Sequence, residues 1–288
     1  MITNNYKDAV TCAVQFTPAW LSPVENGRRM AEYVERAADE GHAQLVVFPE
    51  LSSAGYILKE RDSVFGTKYY QAAEYIPGGP VTQALCKQAK KSRAYVVVGI
   101  SEKHPVIPGV LYNSAALISP IGEVMGIHRK VHMPGYERFY FCAGSEMNVF
   151  KTELGNIGMS ICYDNQFPEL VRTLALKGME IHCMLWNMPD FSNFPEHLYH
   201  ITAVRALENR MYTISCNRPR PADGDGDITF IGASCISDPV GTIIAKAGQD
   251  EELIYAALSS EKFAADRFFQ PVFKDRRPEL YSRVTEKL

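Results

Sequence analysis

Short runs of Val, Ile, Leu and Ala recur along the chain and predict strands. They fall at Val10–Phe16, Gln44–Phe48, Tyr95–Ile100, Ser114–Ile118, Ile157–Cys162, Ile181–Trp186, Met211–Cys216 and Ile231–Ser237. Most are continuously apolar, as strands covered on both faces are, and others alternate as strands with one wet face do. Between them the apolar period lengthens to that of helices. Ser22 with Glu25 three residues later forms a capping-box pattern, and Pro23 takes the first helical position. Met30, Val34 and Ala37 continue that helix, and Gly41 is placed just past its end as a left-handed cap. A second helix is predicted over Val81–Lys91. A third follows Pro168, with Leu170, Val171 and Leu174 on one face and a stop at Gly178. A fourth follows Pro195, with His200, Val204 and Leu207 along one side.

Strands follow one another directly around residues 95–130 and again at 211–258. The order β-α-β-α-β-β-β is thus read twice, which predicts an α/β fold with a two-layer sheet core, helices outside and an internal pseudo-repeat. No linker divides the chain, so residues 1–288 are expected to form one domain, with 221–227 as a surface loop. The segment Arg267–Leu288 sets Phe268, Phe269, Phe273 and Tyr281 among charges. It reads either as an arm that packs on a partner subunit or as a strap on its own.

Composition narrows the function classes. With 46% of 288 residues hydrophobic the chain can bury a full core. A formal charge of −3 gives no reason to expect nucleic acid or an acidic membrane as partner. No signal core opens the chain and no run approaches the roughly 20 apolar residues of a membrane span, so a cytoplasmic protein is expected. The seven cysteines are odd in number and dispersed, without a CxxC pair, which speaks against a disulfide framework or a zinc ribbon. Cys12, Cys183, Cys216 and Cys235 sit in apolar runs and read as small core residues. No metal or cofactor is expected. Asp223, Asp225 and Asp227 resemble the start of a calcium loop, but Ile228 and Ser234 stand where it needs Gly and Glu. His197 and His200 lack a third ligand nearby, His182-Cys183 lies in an apolar strand, and Gly78-Gly79 is a turn.

Candidate chemistry lies at three strand ends: Glu50 after Leu45 to Pro49, Lys130 after Gly126 to Arg129, and Cys162 after Gly158 to Ile161. Reactive groups at carboxyl ends of strands are where α/β folds build sites. A helix starting just after Cys162, and a nearby lysine, would favour its thiolate. A carboxylate could take the thiol proton and return it to a leaving amine, while an ammonium and a backbone N–H hold the oxyanion. Taken singly, each residue also fits a plainer reading: two strand-end charges and a core thiol.

These blocks resemble the nitrilase superfamily of carbon–nitrogen hydrolases. The likeness runs in order from Ala13–Phe16 through Phe48–Glu50, Gly55-Tyr56, Val98–Ile100, Tyr112–Ser114, His128–Lys130 and Gly158–Asp164. It continues through Arg205–Asn209, Asn217-Arg218, Gly232–Ser234, Asp238–Gly241 and Asp275–Pro278. The resemblance implies Glu50 as general base, Lys130 as oxyanion stabiliser, Cys162 as nucleophile and the Tyr163 backbone N–H as second oxyanion donor. It implies that Glu137 positions substrate or Lys130. It also implies an αββα sandwich of two mixed sheets, pairing as αββα–αββα in a homodimer or larger homo-oligomer.

The implied reaction is hydrolysis of a small amide or N-carbamoyl compound by water through a thioester. A nitrile substrate, acyl transfer, and a silent scaffold are the alternatives. Asn165 and Gln166 stand where D-amino-acid carbamoylases carry two arginines, which argues against that activity. Tyr56, Tyr163, Asn165, Trp186, Asn187 and Asp190 are expected to line the substrate site. Asp190 or Glu137 would suit an amine-bearing substrate, and core packing is the competing reading for Trp186.

Overall fold

The computed structural model describes residues 7–56, 61–190, 196–221 and 228–287. Its core is two six-stranded mixed sheets. The first half gives β1 (Ala9–Gln15), α1 (Pro23–Gly41), β2 (Leu45–Val47), α2 (Ser63–Ala72), α3 (Pro80–Ser92), β3 (Tyr95–Lys103), β4 (Leu111–Ile118) and β5 (Val124–Arg129). The second gives β6 (Val149–Thr152), β7 (Gly155–Ile161), α4 (Pro168–Leu176), β8 (Ile181–Leu185), α5 (Glu196–Asn209), β9 (Tyr212–Cys216), β10 (Cys235–Ser237), β11 (Ile243–Lys246), β12 (Glu252–Leu258) and α6 (Ser260–Phe269). No helix among the described residues is long and apolar enough to cross a membrane.

The predicted pseudo-repeat is present in the pairing. One sheet runs β12-β1-β2-β3-β4-β5 and the other, read in the same sense, β6-β7-β8-β9-β10-β11. In each, the three central strands are parallel, the next two antiparallel, and the opposite edge strand antiparallel. The edge strand of the first sheet comes from the end of the chain, so β12 closes the half that β1 begins. The sheets face each other across a core that includes Ala13, Val47, Val97 and Leu117 on one side and Ile157, Met159, Ile161 and Ile214 on the other. The alternate residues Cys12, Val14, Val46, Val96 and Val98 point outward onto Met30, Val34, Val81 and Leu85 of α1 and α3. This is the αββα sandwich, and the period-two alternation of strands buried on both faces is what fills both layers.

Several local expectations are corrected. The Ser22 hydroxyl makes no capping bond; it donates to the Trp20 carbonyl instead. Gly41 ends α1, and His42 is the left-handed cap. The predicted strand over Ile231–Ser237 is cut to β10 because Gly232 and Ala233 both have positive φ, which breaks a ladder. On α5 the apolar reading chose the wrong face. Leu198, Thr202, Arg205, Ala206 and Asn209 face inward, while His200 is exposed and Val204 and Leu207 stay about half exposed. The outer face of the second sheet beneath α5 carries buried Ser160, His182, Thr213 and Ser215, so the stripe that packs there is itself polar. Residue 267, where the C-terminal segment is read to begin, lies inside α6, and Phe273 lies against Arg172 and Arg267 of the same chain. Pro195 and residues 222–227 of the expected surface loop, with Asp223, Asp225 and Asp227, lie outside the described residues.

Gly99 on β3 is required by a close approach. A Cβ there would sit 2.3 Å from the Pro49 carbonyl oxygen and 2.6 Å from the Glu50 Cα. Only a residue without a side chain lets the turn carrying Glu50 cross the sheet at this depth. Gly99→Ala is therefore expected to lower unfolding free energy by about 1–3 kcal/mol, the usual cost of overpacking, and to reduce the urea midpoint at unchanged m-value.

Candidate active site

Glu50 follows β2 through Phe48-Pro49, Lys130 follows β5, and Glu137 lies on a 3₁₀ turn, Gly135–Phe139. All three carry side chains at 0–1% exposure. The Lys130 Nζ donates at 2.7 Å to Glu50 Oε1 and at 2.7 and 2.8 Å to the two oxygens of Glu137. Asn113 on β4 donates from Nδ2 to Glu50 Oε1 at 2.7 Å and to Glu137 Oε2 at 3.2 Å. The Tyr56 hydroxyl donates to Glu137 Oε1 at 2.7 Å, and its ring stands edge-on to Phe230. Glu50 Oε2 has no partner among the described residues.

Cys162 follows β7 and opens a 3₁₀ turn, Cys162–Gln166, with φ of 48°. A non-glycine residue in that region is strained, which turns the side chain away from the strand it leaves. Beneath the turn, Asn165 donates to the Cys162 carbonyl at 3.1 Å and pairs with the Ser160 hydroxyl. Arg205 of α5 donates twice to the Asn165 carbonyl. That is why the inward stripe of α5 carries an arginine.

The charges set the resting protonation. Burial, strengthened by the like charge of Glu137 and opposed by Lys130, raises the Glu50 carboxyl to about 7. Burial pulls Lys130 the other way, but the carboxylates of Glu137 and Glu50 outweigh it and hold the ammonium charged. Burial and then the Glu50 charge push the Cys162 thiol well above its ordinary value, with Lys130 opposing. The expected resting thiolate is thus corrected to a neutral thiol. The turn after Cys162 is too short to offset two carboxylates, and a base must take the proton.

The residues expected to line the substrate site separate. Tyr56 joins the charged cluster through Glu137. Asn187 donates from Nδ2 to the Glu50 carbonyl at 2.6 Å, and its backbone N–H lies against the thiol. Asp190 is half-buried and bridges by its backbone to Thr229. Tyr163 points its ring outward, 40% exposed, edge-on to Phe167. The Asn165 amide is fully buried and bonded within the turn, and Trp186 is fully buried in the core between the sheets, in line with the packing reading of that residue. Sequence reasoning missed Asn113, Asp164 and Phe230. Asn113 and Asp164 lay inside matching blocks, whereas nothing in the local pattern marks Phe230. A cavity of about 810 Å³ beside β5, lined in part by Tyr112, Arg129 and Glu146, contains none of these cluster residues. Among the described residues no group of three or more His, Cys, Asp or Glu could hold a metal.

A two-sheet sandwich with a buried Glu–Lys–Glu cluster facing a strand-end cysteine defines a class of C–N bond-cleaving proteins. Residues 11–268 match the model of the carbon–nitrogen hydrolase family, and the chain belongs to that family. It is 35% identical over 283 residues to the omega-amidase NIT2 of Xenopus tropicalis, with 93% of this chain and 95% of that one covered. It is 32% identical to a citrullinase of Francisella tularensis, covering 91% and 93%. Among solved structures it superposes on Saccharomyces cerevisiae Nit3, a nitrilase-superfamily member, with a TM-score of 0.82 at 29% identity, covering 94% and 97%.

Because Glu137 raises both the Glu50 carboxyl and the Cys162 thiol, Glu137→Gln should move the pH profile of Cys162 alkylation by iodoacetamide toward lower pH. A profile that stays in place or moves upward would contradict this charge arrangement.

Proposed function

We propose that the protein hydrolyses a small amide or N-carbamoyl compound through a thioester on Cys162, with Glu50, Lys130 and Glu137 as its catalytic partners. The observation that carries this reading is the Lys130 ammonium bonded to two buried carboxylates, with one oxygen of Glu50 unpartnered among the described residues. Glu50 Oε2 takes the thiol proton as Sγ attacks the carbonyl carbon. An ammonium has three donors, and as the oxyanion forms the one directed at the second Glu137 oxygen, at 2.8 Å, turns to it, together with the Tyr163 backbone N–H. Collapse breaks the C–N bond while Glu50 returns its proton to the departing nitrogen, and ammonia or an amine leaves. Water then passes a proton to Glu50 and attacks the thioester. The carboxylic acid is released and the thiol regains its proton.

The omega-amidase and citrullinase relatives support an amide or ureido group as the bond cut. The local structure after Cys162 supports a substrate held otherwise than by a carboxylate clamp at that turn. Asn165 is bonded within the turn and Gln166 pairs with His197 at 3.2 Å. Of the two acidic side chains expected to suit an amine-bearing substrate, Glu137 is engaged by Lys130 and Tyr56. A second copy of the chain is proposed to cover the outer layer of α4, α5 and α6. Leu176, Val204, Leu207, Phe268 and Phe269 are exposed there, the last two by 80% or more.

Ammonia release should be measured over amides, N-carbamoyl compounds and nitriles. Cys162→Ala should abolish it on every hit, and equal activity of the two proteins would end the proposal. Lys130→Met should lower kcat about 100- to 1000-fold, the usual cost of one oxyanion donor. The base works only when ionised, so kcat/KM should rise with pH through an ascending limb near 7, set by Glu50. Phe268→Glu with Phe269→Glu should shift the light-scattering mass toward that of a single chain; an unchanged mass would reject this face as the assembly surface.

A further inference from the structure

Lys130 and Cys162 stand on different sheets. Lys130 follows the edge strand of the first and Cys162 the second strand of the other. Hydrogen-bond ladders fix positions within a sheet, whereas packed apolar faces fix the offset between sheets less sharply. The placement of ammonium against sulfur therefore needs a joint of its own.

Asp164, two residues past Cys162 and fully buried, makes that joint. Its Oδ1 accepts from the backbone N–H of Val131 at 3.1 Å, the backbone N–H of His132 at 2.9 Å and the His132 Nδ1 at 2.9 Å. Its Oδ2 accepts from the His128 Nε2 at 3.1 Å and from the Ile161 N–H at 3.2 Å, within its own turn. Four of these five donors belong to residues 128–132, which flank Lys130 on both sides. The His132 ring also stacks on Phe167 at 3.7 Å, a second tie between the same two segments. Burial alone would raise the Asp164 carboxyl, but the bonds from His128 and His132 outweigh it and hold it well below the usual carboxylate range. The acceptor thus stays charged in the folded protein.

We propose that Asp164 is a positioning residue that sets the placement of the Lys130 ammonium relative to Cys162 across the two sheets. It touches neither the thiol nor the reacting carbonyl, and acts through the segment that carries Lys130. For turnover this rests on the hydrolase reading above; for thiol reactivity it does not.

The test compares wild type, Asp164→Asn and His132→Phe. The last keeps the ring stack on Phe167 and removes only one donor. Asp164→Asn should lower kcat about 100-fold, as a displacement near 1 Å does, with KM changed by about twofold or less. It should also move the pH profile of Cys162 alkylation upward, because Lys130 is the charge that draws the thiol down. His132→Phe should give smaller changes in the same directions, and the double variant should be no worse than Asp164→Asn alone. The proposal is overturned if kcat per titratable Cys162 and the alkylation profile match wild type in both variants, or if activity falls only in proportion to folded protein. Should wild type turn over no amide, the hydrolase reading fails while the alkylation profiles still decide the role of Asp164. Should Asp164→Asn fail to fold, His132→Phe decides alone.

Discussion

Lys130 holds a full charge on a fully buried side chain, and the architecture around it answers that constraint. An ammonium in a protein interior is strongly disfavoured unless it is paired and its donors are satisfied. Here two carboxylates from different segments meet it, at 2.7 to 2.8 Å, and Asn113 bridges the carboxylates in turn. Two acids for one base leave an excess of negative charge. The excess is relieved on Glu50, whose carboxyl rises to about 7, and on Cys162, which rests as a thiol. The cluster that stabilises Lys130 thereby makes a carboxyl able to exchange protons near neutral pH beside a thiol that must lose its proton to react.

The sandwich brings these groups to one corner because the strands that carry Glu50, Lys130 and Cys162 all end there. Close approaches and polar links then refine the position. Gly99 lets the Glu50 turn cross the sheet, Asn187 ties the Glu50 carbonyl to the end of β8, and Asp164 ties the Lys130 segment to the Cys162 turn. Under the second sheet, Ser160, Asn165 and Arg205 form a buried polar layer that braces the strained turn at Cys162. This layer explains why α5 buries a polar stripe and leaves Val204 and Leu207 half exposed.

Amino-acid pattern alone carried the fold class, the strand positions to within a residue or two in most cases, the pseudo-repeat, and the strand-end placement of Glu50, Lys130 and Cys162. These follow from periodicities of two and 3.6 that burial imposes on a chain directly. Pattern did not carry the buried face of α5, the edge strand β6, the short helix α2, or the interruption at Gly232-Ala233. In each the deciding factor is what lies across the contact, which no local window contains. The same holds within the site. The pattern places Asn165 and Trp186 near the site, whereas the bonding of the Asn165 amide within its own turn and the burial of Trp186 in the core appear only in the folded chain. The resting state of Cys162 depends on two carboxylates 25 and 112 residues away along the chain, close only once the sheets have packed. Which residues meet in the candidate site was thus legible in sequence, because strand ends and their polar residues are local features. How those residues share charge and protons was decided by the tertiary structure, because desolvation and Coulomb interactions depend on distances that only folding sets.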